Sequence, residues 1–300
     1  MDDNYWLSYA IIHYGWIGVE IFFVVSGFVI PYSILGKPYR LKNYGEFMIK
    51  RIVRIHPAYL MSIGLVILLN YLSTLSPMYN GDPFSVSIKN LLSNVFYIVD
   101  FTSSSWLNPV YWTLAIEFQY YVIIGILLAF WNRGSKIIIL ITTILLLLTS
   151  LIHFEYVRFL KYTDIFVIGI IVAFYKKNYI NGKMLLLCQL IVSVIILYNH
   201  GLSIATLVLI CSIVIAFFSY SLKHTVFLFL GNISYSLYLV HIPVGGRLIN
   251  LTKRLDLSPL LQSLCIIGAL AISIVVSWLF YVYVEKPSHR WSRTLKLTKS

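Results

Sequence analysis

Nine stretches of this chain, at residues 16–36, 54–73, 111–131, 136–153, 160–175, 184–199, 202–220, 226–246 and 260–284, are long, mainly apolar and poor in charge. A helix needs about 20 mainly apolar residues to cross the hydrocarbon core of a bilayer, whereas a membrane barrel is written in alternating segments of about 10. The runs do not alternate. The fold predicted is therefore all-α, a polytopic bundle of transmembrane helices with about nine spans. The 160–175 stretch is short and is expected to need a thinned bilayer or burial inside the bundle. The longest connection, 74–110, contains PFSVSIKNLLSNVFYIVDF, which reads as an interfacial or re-entrant helix. Composition agrees: 59% hydrophobic and 11% charged residues is far from the roughly 45–50% and 25% of soluble domains. Cys188, Cys211 and Cys265 each sit within an apolar run, where a small hydrophobe is the expected role, so neither a disulfide nor a metal site is predicted.

The net charge of +12 suits nucleic acid or a membrane protein with cationic cytoplasmic loops, and the position of the charges decides between them. Sorted between alternate loops, 17 of the 23 Lys and Arg residues fall on one side. That side is read as cytoplasmic, with the C-terminus inside and the N-terminus of this chain outside. No nucleic-acid partner is needed to explain the charge. A single integral-membrane domain is expected over 1–300, with an outer-side tail at 1–15 and a basic cytoplasmic tail at 286–300. MDDNYWLSYAIIHYG has no basic n-region or cleavage signal.

Ionisable groups at membrane depth are expensive and are the default functional candidates. In GWIGVEIFFVVSGFVIP, Glu20 lies near one membrane end, while Ser26 and Gly27 permit close helix approach. In KRIVRIHPAY, Lys50, Arg51 and Arg54 crowd together. Arg51 and Arg54 are three apart and share a helical face, which suits either a phosphate ligand or a positive-inside anchor. Pro57 is expected to start or bend the helix there. In NPVYWTLAIEFQYY, Glu117 lies one to two turns into a span, as a base, an acid, an orienting partner or half of a buried ion pair. GNISYSLYLVHIPV places His241 two turns after Ser234, so that both can look into one cavity. His13 precedes the first span, where a solvated imidazole is the plain reading.

GVEIFFVVSGFVI, KRIVRIHPAY, YWTLAIEFQYY, GNISYSLYLVHIPV and YVEKPSHRW, in that order over most of residues 16–291, resemble the acyltransferase-3 family of membrane O-acyltransferases. The resemblance implies a bundle of ten spans in the plasma membrane, cytoplasmic acyl-CoA (acetyl-CoA above all) as co-substrate with no bound cofactor, and a glycan or polysaccharide acceptor. It implies transfer of an acetyl group to a sugar hydroxyl by His241 or His13, with Glu117 as the orienting carboxylate. Lys50, Arg51 and Arg54 would receive the donor, and Glu20, Ser26, Thr113 and Ser234 would support the site, Thr113 replacing the family's Ser. Members carry their catalytic His at the far end of a first span, three turns after an Arg or Lys. Nothing basic precedes His13, so the chain is expected to lack that helix, with His13 in the connecting loop and weak or no activity in this form. A glycan or lipid-linked sugar transporter and a non-catalytic scaffold are the alternatives.

Overall fold

The computed structural model describes residues 18–75, 84–152, 154, 157–218, 224–252, 255 and 257–295, and it is helical, without a strand among them. His13 and the rest of the 1–15 tail lie outside the described residues. The helices are α1 Gly18–Ile34, α2 Tyr44–Thr74, α3 Ile88–Val95, α4 Tyr111–Trp131, α5 Lys136–Leu148 and α6 Thr163–Lys176, then α7 Gly182–His200, α8 Leu202–Phe217, α9 Thr225–Val240, α10 Pro259–Phe280 and α11 Lys286–Thr294. The described residues of each of the nine apolar stretches lie mainly on one of these helices. Together with adjoining short helical pieces, the helices at Leu41–Thr74, Tyr111–Trp131, Gly182–His200, Thr225–Thr252 and Pro259–Thr294 are long and apolar enough to cross a membrane. Those at Gly18–Ile34, Lys136–Leu151 and Leu202–Phe217 are apolar but shorter.

Caps set several of the boundaries. The Ser135 and Asn181 side chains accept the Ile138 and Met184 N–H groups at the starts of α5 and α7. Gly201, at φ +86°, stops α7 before α8 begins. Pro57 does not start a helix: α2 begins at Tyr44 and runs through it. The reason lies upstream, where Leu41–Asn43 forms a 3-10 turn that leads into α2 and brings the KRIVR segment into the helix. The connection after α2 holds α3, an eight-residue amphipathic helix capped by Ser87, and a 3-10 turn at Val99–Phe101.

Two compact units divide the described chain. The first comprises residues up to Tyr44 and Gln119–Tyr220, and the second Gly45–Phe118 and Ser221 onward. In the first unit α6 is buried from Thr163 to Phe174, which answers its shortness by burial. Its tightest neighbour is α1, because Gly27 and Gly169 bring the two backbones together. A methyl group on Gly27 would overlap the Phe166 carbonyl, and one on Gly169 would overlap the Val24 carbonyl. Without a hydrophobic drive between helices in lipid, such close van der Waals contact is what associates them. Phe166 fills the adjoining space, stacked on Tyr120 at 4.1 Å and tilted against Phe23 at 4.9 Å.

In the second unit α10 buries only Ala269, Ser273 and Ser277, four residues apart, and sets Ser273 against Gly245. Its Leu264, Ile267, Leu270 and Val275 face outward. Small residues inside and large apolar ones outside suit a helix whose solvent is lipid.

Candidate functional site

Four groups of polar side chains lie inside these units, and each is set by a local feature of the sequence. The first is in the first unit, where α6 begins and α7 ends. Asp164 is fully buried. Its Oδ1 accepts the Ile165 N–H at 2.8 Å and faces His200 Nε2 at 3.2 Å, while Oδ2 accepts from Asn199 Nδ2 at 2.8 Å. Glu20 is 2% exposed and near enough for His200 and Tyr162 to share its field. Its Oε2 has no hydrogen-bond partner among the described residues. The sequence places Glu20 near one membrane end, and the structure buries it there. Asp164 and His200 were missed in the sequence, because each stands at the end of an apolar run, where a polar residue looks like a loop flank. His200 Nε2 also faces the Lys161 carbonyl at 3.0 Å, and Asn199 Nδ2 also donates to the Ser150 carbonyl at 3.3 Å. Replacing Asp164 by leucine therefore orphans one buried Asn199 N–H, at a cost of about 1–3 kcal/mol. The expected result is a lowered thermal-unfolding midpoint of the detergent-solubilised protein.

The second group joins α2, α9 and the last turns before α11. Glu285, 2% exposed, accepts from the Ser236 hydroxyl at 2.5 Å and the Ser236 N–H at 3.2 Å, and faces His289 Nε2 at 3.5 Å. Arg54 acts electrostatically on both Glu285 and His289. The three clustered cations therefore have different surroundings: Lys50 pairs with Glu46 at 3.4 Å, Arg51 lies over the Phe47 ring at 5.4 Å, and Arg54 belongs to the Glu285 group. Ser236, and not Ser234, is the inward serine. Ser234 is exposed and its hydroxyl returns to the Gly231 carbonyl of its own turn at 2.9 Å. Seven positions along α9 separate Ser234 from His241, yet Ser234 faces outward while the His241 ring folds back on carbonyls of its own turn, so the two do not meet.

The third group surrounds the start of α4. Glu117 is 5% exposed, and its charge reaches Tyr97, which stacks on Tyr59 at 4.5 Å and on Phe118 at 5.2 Å. Burial first, and then Glu117, push the Tyr97 phenol well above its ordinary range, so it stays a proton donor. Two further phenols continue the cluster, with Tyr59 donating to the Asn94 carbonyl and Tyr111 bonded to Ser62 at 2.7 Å. Thr113 is buried and bonds to the Tyr238 hydroxyl at 2.5 Å, so the hydroxyl that the resemblance required is engaged.

His241 follows one turn after Tyr238. Its Nδ1 lies 2.8 Å from the Tyr238 carbonyl and 3.1 Å from that of Leu237. Carbonyl oxygens only accept, so Nδ1 carries the proton and Nε2 presents its lone pair. The orientation of the ring comes from its own backbone, not from a carboxylate on Nδ1.

The fourth group lines a cavity of about 480 Å³ in the second unit, bounded by α2, residues 107–109, the π-helix and the short helix Arg247–Thr252. Its polar lining is Asn70, Ser73, Asn108, Arg247 and Asn250. Asn108 donates to the Leu239 carbonyl at 3.2 Å, which ties the cavity wall to the helix that carries His241. Arg247 directly follows the 226–246 stretch and is not among the candidate residues read from the sequence.

The family profile described as "Acyltransferase domain" matches residues 5–282. This chain belongs to the acyltransferase-3 family. Acyltransferase-3 relatives include the O-acetyltransferase OatA of Staphylococcus aureus (strain NCTC 8325 / PS 47), 27% identical over 276 residues, 77% of this chain and 46% of that protein. Nodulation protein 10 of Rhizobium leguminosarum bv. viciae is 27% identical over 131 residues, 40% of this chain and 35% of its own. An uncharacterised protein of Haemophilus influenzae is 31% identical over 161 residues, 48% of this chain and 62% of its own. The chain spans about half the length or less of OatA and Nodulation protein 10. No solved structure matches it.

Proposed function

We infer that the chain is a membrane O-acetyltransferase that moves an acetyl group from acetyl-CoA to a sugar hydroxyl of a cell-surface glycan. Family membership supports the acyl-transfer class, and the name of the staphylococcal relative supports acetyl and oxygen. The observation that carries the reading to residues is His241, whose Nδ1 is held by two backbone carbonyls. Nε2 takes the proton of the acceptor hydroxyl as its oxygen attacks the thioester carbonyl. The C–S bond then breaks, the acetyl group stays on the sugar oxygen, and the CoA thiolate leaves and is protonated. General-base assistance of this kind contributes about 10²–10⁴-fold. Glu117 and the neutral Tyr97 phenol supply a buried carboxylate and a proton donor in the same unit.

Arg54, backed by Glu285, receives the donor phosphates from the cytoplasmic side. The plasma membrane is the location, and the end of the second unit that carries Arg247 is the outer one. Membranes carrying the chain, given radiolabelled acetyl-CoA and a glycan acceptor, test the proposal. Arg54→Ala is expected to raise the KM for acetyl-CoA about 10-fold, as loss of one charge-assisted contact would. Glycan crossing the membrane without any dependence on acetyl-CoA would point to transport and overturn the reading.

A further inference from the structure

The cavity of the fourth group holds a cation, Arg247, whose hydrogen-bond partners among the described residues are all neutral. Arg247 donates from Nη1 to the Leu69 carbonyl at 2.8 Å and to the Ser73 hydroxyl at 2.5 Å, and from Nη2 to Asn70 Oδ1. All three acceptors are uncharged. An arginine has five N–H donors, so Nε–H and one Nη2–H remain beyond these bonds. No carboxylate among the described residues lies within 4.0 Å of the guanidinium. Leaving a half-buried cation without a counter-charge is costly, and natural sites accept that cost where a ligand brings the charge.

Arg247 is also the residue at which the π-helix ends, and π-turns concentrate at functional sites. Around it the wall offers the exposed Asn250 amide, together with the apolar faces of Val66, Leu107 and Pro243, while Asn108 is buried and bonded within the protein. An amide group beside flat apolar surface suits a sugar ring, which presents hydroxyls at its edge and C–H groups on its face. The volume lies inside the range of small-ligand pockets, about 300–1,000 Å³.

We propose that this cavity is the acceptor subsite and takes an acidic sugar, whose carboxylate is received by Arg247 while the ring lies between Asn250 and the apolar wall. The assignment of a sugar rests on the acyltransferase reading. Its test is a binding measurement that requires no acyl transfer, so the two can fail separately. The whole chain, in discs of phosphatidylcholine, is titrated with a trimer of galacturonic acid and with the uncharged methyl ester of that trimer. The acid is expected to bind more tightly.

In Arg247→Gln the acid is expected to weaken about 10–100-fold, the loss that goes with a hydrogen bond to a charged group, and the ester to be unaffected. Asn250→Asp is the second variant. It keeps Arg247 and its three backbone and side-chain anchors, sits at an exposed position, and adds a carboxylate to the same wall. It too is expected to remove the preference for the acid. Equal binding of acid and ester by the natural chain would overturn the proposal, as would an acid preference that survives both variants. Loss of that preference when phosphatidylglycerol is added to the discs would assign the cavity to a lipid headgroup and equally overturn it.

Discussion

A chain with glutamine in place of His241 is expected to lose acetyl transfer by about 10²–10⁴-fold, with the KM for acetyl-CoA unchanged. The size follows from the contribution of a positioned general base. The direction follows from the tautomer: Nδ1–H is committed to the Leu237 and Tyr238 carbonyls, so Nε2 is the only basic atom of the ring. Glutamine can donate from its amide to the same carbonyls and so keeps the start of the π-helix intact, but it has no atom that accepts a proton near neutral pH. Initial rates with labelled acetyl-CoA at saturating and limiting donor separate the two parameters. A fall in kcat alone identifies a group that acts only in the transition state. Equal transfer by the variant and the natural chain would remove His241 from the chemistry and leave the buried carboxylates as the base.

The helices were legible because their signal is composition over length, and lipid forces every backbone group in a span to bond within its own segment. The Gly27 approach was legible for the same kind of reason, since a small residue inside an apolar helix has few uses other than close packing. What it packs against was not. Gly169 lies 142 positions later in sequence, and no periodicity links two helices that meet at a single crossing. Helix starts were read less well. Pro57 carries a strong local rule, but a proline is tolerated within a helix when neighbours hold it, and α2 continues through Pro57.

The candidate site was legible one residue at a time and illegible as groups. Glu117 and His241 announce themselves as ionisable side chains inside apolar runs. Glu285 and Asp164 do not, because each sits where a run meets its flank, and only tertiary structure shows that the flank is buried. The choice between Ser234 and Ser236 turned on two positions. The spacing of seven shows that Ser234 and His241 share a helix face, but not which face is inward, and the exposed Ser234 and buried Ser236 of the regular α9 decide that. Arg247 was hidden by its position in a basic, loop-like segment, where a charge needs no explanation until its partners are seen to be neutral.

Alanine in place of Gly169, or of Gly27, is expected to prevent the first unit from packing. In α1 and α6 each glycine faces main-chain atoms of the other helix: a side chain on Gly169 meets the Val24 carbonyl and, at 2.8 Å, the Phe28 N, while one on Gly27 meets the Phe166 carbonyl. Side chains can rotate away from a new methyl group, but two helical backbones can only separate. Overpacking a core where side chains can adjust already costs about 1–3 kcal/mol, against a total stability of about 5–15 kcal/mol for a folded domain. Separation would also withdraw Phe166 from its stack on Tyr120. Gly64 and Gly268 provide the comparison, since both lie within long helices and a methyl group on either meets nothing within 4 Å. Alanine there removes a glycine from a helix interior and is expected to be neutral or stabilising, by up to about 1 kcal/mol. Size-exclusion profiles and protease resistance of the four purified variants decide the matter. Aggregation of the Gly27 and Gly169 variants alone locates the requirement at the α1–α6 crossing, whereas four equal profiles would show that the two helices can part without loss of the fold.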